Sequence, residues 1–229
     1  MLYYDSTYLL VIPAIIFALV AQLMVKSTFN KYSKEKNEYG YTAREIARRI
    51  LDDNGLFNVQ VEYTSGNLTD HYDPSANVVR LSDTVYNSTS VAAIGVAAHE
   101  VGHAIQHAQG YNPLKIRQAI IPITRIGSNL AVPLVLLGMI FSALEWLVPV
   151  GIFLYTGVVF FQAITLPVEF NASHRALMTL DSNAILQPGE IKMAKKVLTA
   201  AAMTYVAAMF SSLMSLLRLI IIARGGRRR

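Results

Sequence analysis

Residues Val91–Gly110 read VAAIGVAAHEVGHAIQHAQG, and the architecture follows from how this stretch sits among long apolar runs. Within it, His99, Glu100 and His103 make an HExxH motif. On a helix His99 and His103 share one face, so two neutral imidazoles can reach one Zn²⁺ while Glu100 stands beside them to handle a proton. Zn²⁺ lowers the pKa of a bound water to roughly 7, and Glu100 is the expected base for that proton. Five letters with two wildcards arise by chance in many helices. Here the residues before His99 are Val, Ala, Ile and Gly, which suits a buried helix that another backbone can approach closely.

Composition sets the frame. The 229-residue chain is 53% hydrophobic, too apolar for an ordinary soluble domain, and points to a membrane protein. It has no Cys, which excludes disulfides and thiolate metal sites. Its net charge of +5 is carried mostly by clusters beside apolar runs, which favours anionic lipid over nucleic acid as a partner.

Thr7 to Val25 is apolar apart from Gln22 and is long enough to span a bilayer. The start carries Asp5 rather than a basic region, so the run reads as a retained anchor, not a signal peptide. Lys26, Lys31, Lys34 and Lys36 follow it, and the positive-inside rule places them in the cytoplasm. Thr42 to Asp53 reads as an amphipathic helix with a Thr N-cap, Glu45 three residues on, and Asn54-Gly55 as its stop. Val59–Tyr63 and Asn77–Leu81 predict a short β-ribbon, with Gly66, Asn67, Asp70, Asp73 and Pro74 as turn residues between. Its stretch Asn77–Ser82 is the candidate edge for an extended peptide. Ser88, Thr89 and Ser90 offer N-caps for the HEVGH helix.

Leu130–Leu144 and Val148–Val168 read as two further spans joined by a turn at Glu145-Trp146 that lacks Lys and Arg. Lys192, Lys195 and Lys196 precede a fourth apolar run, Val197–Leu217, rich in Ala and Ser as close helix packing requires. Four full spans put the basic tail Arg224–Arg229 outside, against the positive-inside rule, whereas the other basic clusters all put the HEVGH segment inside.

A catalytic zinc usually takes three protein ligands and keeps a position for water. His71, His107, His174, Asp181 and Glu169 are the candidates for the third. Glu169 has the better context: on a helix, Ala172, Ser173 and Ala176 share its face, and small residues there let that helix approach the metal helix. The oxyanion that forms on a peptide carbonyl also needs a donor, for which His174 is the candidate.

GNLTDHYDP (Gly66–Pro74), NVVRLSDTVY (Asn77–Tyr86), VAAHEVGHAIQH (Val96–His107) and VEFNASHRA (Val168–Ala176) together resemble the membrane-bound bacterial neutral zinc metallopeptidases of the YugP-like family. The resemblance covers nearly the whole chain. It implies a gluzincin-type peptidase with His99 and His103 as metal ligands, Glu169 as third ligand and Glu100 as catalytic base. The arrangement is also similar to the HtpX and Ste24 membrane peptidases, whose third-ligand motif carries Asp where Ser173 stands here; a hydroxyl orients a ligand histidine more weakly than a carboxylate.

The expected architecture is a mainly α-helical integral membrane protein with a small α+β zincin-like domain, built on the HExxH helix and a short β-ribbon, plus about four transmembrane helices. The expected division is 1–25, first span; 26–127, cytoplasmic zincin-like domain; 128–145 and 147–168, second and third spans; 169–196, third-ligand helix and cytoplasmic segment; 197–223, fourth span; and 224–229, basic tail. The expected function is a multi-pass zinc endopeptidase of the bacterial cell membrane, with one Zn²⁺ per chain and its site on the cytoplasmic face, acting on membrane-associated or unfolded peptide chains. Two alternatives are an intramembrane site-2-type protease using Asp181 as third ligand, and a non-catalytic scaffold with structural zinc.

Overall fold

The computed structural model describes residues 6–226, so Asp5 and the last arginines of the tail (227–229) lie outside the described residues. The chain is mostly helical and carries one small sheet. It divides into two compact units: Met1–Ala21, Ile116–Leu166 and Thr204–Arg229 form one, and Gln22–Lys115 with Pro167–Met203 form the other.

The second unit carries the HEVGH helix. Its α1 (Ile12–Tyr32) enters from the apolar run, and α2 (Ala43–Asp53) follows with the expected capping box. The Thr42 hydroxyl accepts from the Glu45 N–H at 3.3 Å, and the Glu45 carboxylate accepts from the Thr42 N–H at 2.8 Å. Two of the four free N–H groups of the helix start are thereby satisfied locally. Ala43, Ile46, Ala47, Ile50 and Leu51 bury one face of α2, which packs on α3 (Val91–Ala108). Helix α3 starts at Ser90, whose hydroxyl accepts from the Ala93 N–H at 3.2 Å, and Val91, Ile94, Ala97, Ala98 and Val101 are buried in the core.

The sheet differs from the expected two-stranded ribbon. Strands β1 (Gln60–Tyr63), β2 (His71–Asp73) and β3 (Val78–Leu81) lie in the order β1-β3-β2, with β1 parallel and β2 antiparallel to β3. β2 is three residues long and falls among turn formers, so no alternation marks it in the sequence. The hairpin from β2 to β3 closes on the Asp73 carboxylate, which accepts from the N–H groups of Ser75 and Ala76, and on Asn77 at φ +55°, a left-handed conformation that Asn tolerates well. Because β3 is the central strand, both its edges are already paired. Asn77–Ser82 is therefore not a free edge, and the candidate peptide-binding edge moves to β2.

The other unit is helical. α4 (Asn112–Ile140), α5 (Leu147–Ser182) and α6 (Pro188–Gly226) each run through an apolar segment, and with Thr7–Tyr32 they give four helices among the described residues long and apolar enough to cross a membrane. α4 begins well before the apolar run at Leu130 and continues through Pro122 and Pro133. Here α4 and α5 approach closely at Gly151, where an added Cβ would lie 2.6 Å from the Ala131 carbonyl oxygen. The N-terminal segment meets α6: Arg218 stacks over the Tyr8 ring at 3.8 Å and Phe17 meets Phe210 edge-on at 6.2 Å. Large apolar side chains such as Ile15, Leu19, Ile123 and Phe153 point outward, as a lipid-facing surface requires.

Candidate metal centre

Helix α3 presents His99 and His103 on one face, their rings edge-to-face with centroids 4.8 Å apart. The start of the third-ligand segment on α5 brings Glu169, 2% exposed, against both. Glu169 Oε2 lies 3.3 Å from His99 Nε2 and 3.5 Å from His103 Nε2, and one ligand atom from each of the three residues falls within 4.8 Å of the others. Tetrahedral Zn²⁺ with bonds of about 2.0–2.1 Å places neighbouring ligand atoms about 3.3–3.4 Å apart, and the two separations from Glu169 to the histidines have that dimension.

The hydrogen bonds behind the ring nitrogens make the argument chemical as well as geometric. Arg175 has only donors, and its Nε donates to Asn171 Oδ1 at 2.7 Å. Asn171 Oδ1 also accepts from Gln106 Nε2 at 2.9 Å, and that amide donates a second time to the Val168 carbonyl oxygen at 2.9 Å. Gln106, fully buried, therefore turns its Oε1 to His103 Nδ1 at 3.0 Å. An acceptor there favours the proton on Nδ1, and in the neutral imidazole this leaves the Nε2 lone pair facing the Glu169 carboxylate. Two acceptors so close must share a cation, either a proton or a metal ion. Burial opposes charge on His103, yet hydrogen bonding to Glu169 and the nearby Glu100 and Glu169 carboxylates raise its pKa, the same attraction for positive charge at this point. The donor set fits zinc.

His99 is held from both sides by one helix. Glu169 faces its Nε2, and Ser173, one turn further along α5, places Oγ 3.0 Å from Nδ1. Ser173 is thus placed to orient the His99 ring.

Close approach of the two helices depends on Gly102. A Cβ at Gly102 would stand 2.8 Å from the Ala172 carbonyl oxygen, and Ala172 and Ala176 are themselves buried. Small residues on both sides put Glu169 within reach of α3.

Glu100 stands beside the triplet and is not part of it. Its Oε2 accepts from the Tyr72 N–H of β2 at 3.0 Å. That N–H points away from β3, so β2 turns its unpaired edge toward the site. Asp70 fixes the start of β2: its carboxylate accepts from the Ser82 N–H at 2.7 Å and the Ser82 hydroxyl at 2.9 Å. Burial raises the Asp70 pKa; the Ser82 hydrogen bonds oppose this and the Glu100 carboxylate adds to it. Asp83 holds the other end of the loop, accepting from the Gly66 N–H at 2.9 Å and from the Tyr63 hydroxyl. The run from Gly66 to Asp83 is therefore the frame that sets β2 against Glu100.

The remaining sequence candidates are not brought to the triplet. His174 is exposed and, five residues past Glu169, is rotated about 140° around the helix from it. Asp181 is exposed and 12 residues further on, about 18 Å along α5. His107 is exposed and bonds the Tyr72 hydroxyl through Nδ1 at 2.9 Å, and His71 Nδ1 bonds the Thr69 carbonyl oxygen at 2.8 Å. Sequence reasoning missed Gln106 and Asn171. Their signal was spacing: Gln106 follows His103 by three residues, and Asn171 precedes Arg175 by four.

The Gln106 relay carries a direct expectation. Gln106→Leu keeps the volume and removes the acceptor at His103 Nδ1, so zinc affinity measured by chelator competition should fall about 10- to 100-fold. Unchanged affinity would show that the amide does not set the imidazole.

Comparison with known proteins gives the family. No solved structure matches the chain. A curated relative, "Putative membrane protease YugP" of Bacillus subtilis (strain 168), is 50% identical over 218 residues, covering 95% of this chain and 96% of its own length. The family model described as "Putative neutral zinc metallopeptidase" matches residues 7–224, which include His99, Glu100, His103 and Glu169, and the chain belongs to that family.

Proposed function

We propose that this protein is a membrane-bound zinc endopeptidase that works at the cytoplasmic membrane face on membrane-associated or unfolded chains. The observation that carries the reading is the convergence of His103 Nε2 and His99 Nε2 on Glu169 Oε2, with Glu100 alongside and outside the triplet. His99, His103 and Glu169 would hold one Zn²⁺, which when bound supplies Lewis-acid polarisation of a scissile carbonyl. Glu100 takes a proton from the attacking water and passes it to the leaving amine. The Tyr72 N–H keeps the Glu100 carboxylate at the site and leaves its other oxygen for that exchange. β2 provides a backbone edge beside Glu100 on which an extended peptide can align by strand addition. Orientation rests on the lysines that flank the apolar runs, Lys26 to Lys36 and Lys192 to Lys196.

Zinc content separates this assignment from one that uses Asp181. In detergent-purified full-length protein, Glu169→Ala should lose stoichiometric zinc and Asp181→Ala should retain it. Retained zinc in Glu169→Ala, or its loss in Asp181→Ala, would overturn the ligand set.

A further inference from the structure

A basic cavity shares no lining residue with the candidate metal centre. The C-terminal half of α1 and the first turns of α6 enclose a cavity of roughly 720 Å³ lined by Met24, Ser27, Thr28, Lys31 and Tyr32 on α1 and by Lys192, Lys195, Lys196, Thr199 and Ala200 on α6. On each helix these positions repeat at i, i+3, i+4, i+7 and i+8, one continuous face. Four lysines and no carboxylate line the cavity. Among the described residues none of the four lysines is within ion-pair distance of an acid. The nearby Glu190 is turned to other work, accepting from the N–H groups of Gln187 and Glu38. Tyr32 is buried in the cavity wall, and Lys31 packs over its ring at 5.4 Å.

Like charges that face one cavity repel one another, and an anion bound there relieves that repulsion. The sequence indicates which anion. On α1 the apolar run Thr7–Val25 gives way to lysine at position 26, and on α6 Lys192, Lys195 and Lys196 give way to the apolar run Val197–Leu217. The cavity thus sits at the end of two candidate membrane spans, with Met24 and Ala200 at the ends of its lining nearest the apolar runs and Lys31 and Lys192 toward the ends away from them. We infer that it binds the phosphate headgroup of an anionic phospholipid, with the lipid's upper acyl chain against the apolar wall.

The test uses the full chain in a neutral detergent, titrated with phosphatidylglycerol or phosphatidylcholine and read by native mass spectrometry. Wild type should bind phosphatidylglycerol saturably in preference to phosphatidylcholine. Lys192→Gln, Lys195→Gln and Lys196→Gln together should weaken this at least about tenfold, since each lysine near an anionic surface contributes roughly fivefold. Lys26→Gln, Lys34→Gln and Lys36→Gln together remove the same charge outside the cavity and should leave affinity within about twofold. Thr199→Trp fills the cavity without changing charge and should also abolish saturable binding, which keeps the test sharp if the triple variant folds poorly. Glycerol phosphate, which has the anion and no acyl chain, should fail to compete at concentrations that saturate with lipid. Equal losses in the two triple variants, unaltered binding in Thr199→Trp, equal affinity for phosphatidylcholine, or full competition by glycerol phosphate would each overturn the inference.

Discussion

Glu100→Gln is expected to retain zinc and to lose peptide hydrolysis by about 10²- to 10⁴-fold, the range that removal of a general base produces. The substitution is nearly isosteric. Its amide oxygen can still accept from the Tyr72 N–H that Glu100 Oε2 holds at 3.0 Å, so β2 stays in register with the site. Zinc should remain because Glu100 is not one of the three converging ligand atoms. What disappears is the carboxylate that the Tyr72 N–H holds beside the triplet, the proposed proton acceptor. Casein cleavage and metal content measured on the same preparation decide the matter. Hydrolysis at wild-type rates in Glu100→Gln would remove Glu100 from the chemistry, and loss of zinc would move it into the ligand set.

Gly102→Ala should have a comparable effect through geometry alone. Its added methyl would meet the Ala172 carbonyl oxygen at 2.8 Å, and that oxygen belongs to helix backbone that cannot swing aside. Helix α5 must retreat from α3, and Glu169 retreats with it. Displacement of about 1 Å at a catalytic constellation costs on the order of 100-fold in rate, and zinc affinity should fall by more than about tenfold. Gly95→Ala is the matched control on the same helix, because its Cβ would meet Ala194 at 3.4 Å, close to an ordinary contact. Chelator competition on both variants reads the difference; equal zinc retention in the two would show that the helix spacing does not set the metal centre.

The two predictions separate features that the sequence displays in one short word. In HEVGH, Glu100 is the proposed base, while Gly102 acts only by what it lacks. Gly102 could be read in advance as permission for a close neighbour, but not which neighbour. Ala172, Ser173 and Ala176 supplied the complementary hint on the Glu169 face, and the two sets of small residues meet. His174 lies beside Glu169 in the chain but, at five residues on, on another side of the helix. Adjacency in sequence suggested a role that helical rotation does not support.

The sequence by itself determined what depends on neighbours within a turn or two. The His99–His103 spacing, the Thr42 capping box, the Ser90 cap and the apolar runs long enough to span a bilayer are all of this kind, because helix periodicity and capping are satisfied over three to eight residues. Tertiary structure decided that Glu169, which the sequence favoured among several candidates, meets both histidines, that β3 is central and β2 the edge facing Glu100, and that Gln106 stands at His103 Nδ1. Glu169 reaches His99 across 70 positions of chain, and Gln106 reaches Val168 across 62. Contacts at such separation carry no local period; they exist only once burial of α2, α3 and α5 against a common core has fixed where each helix face points.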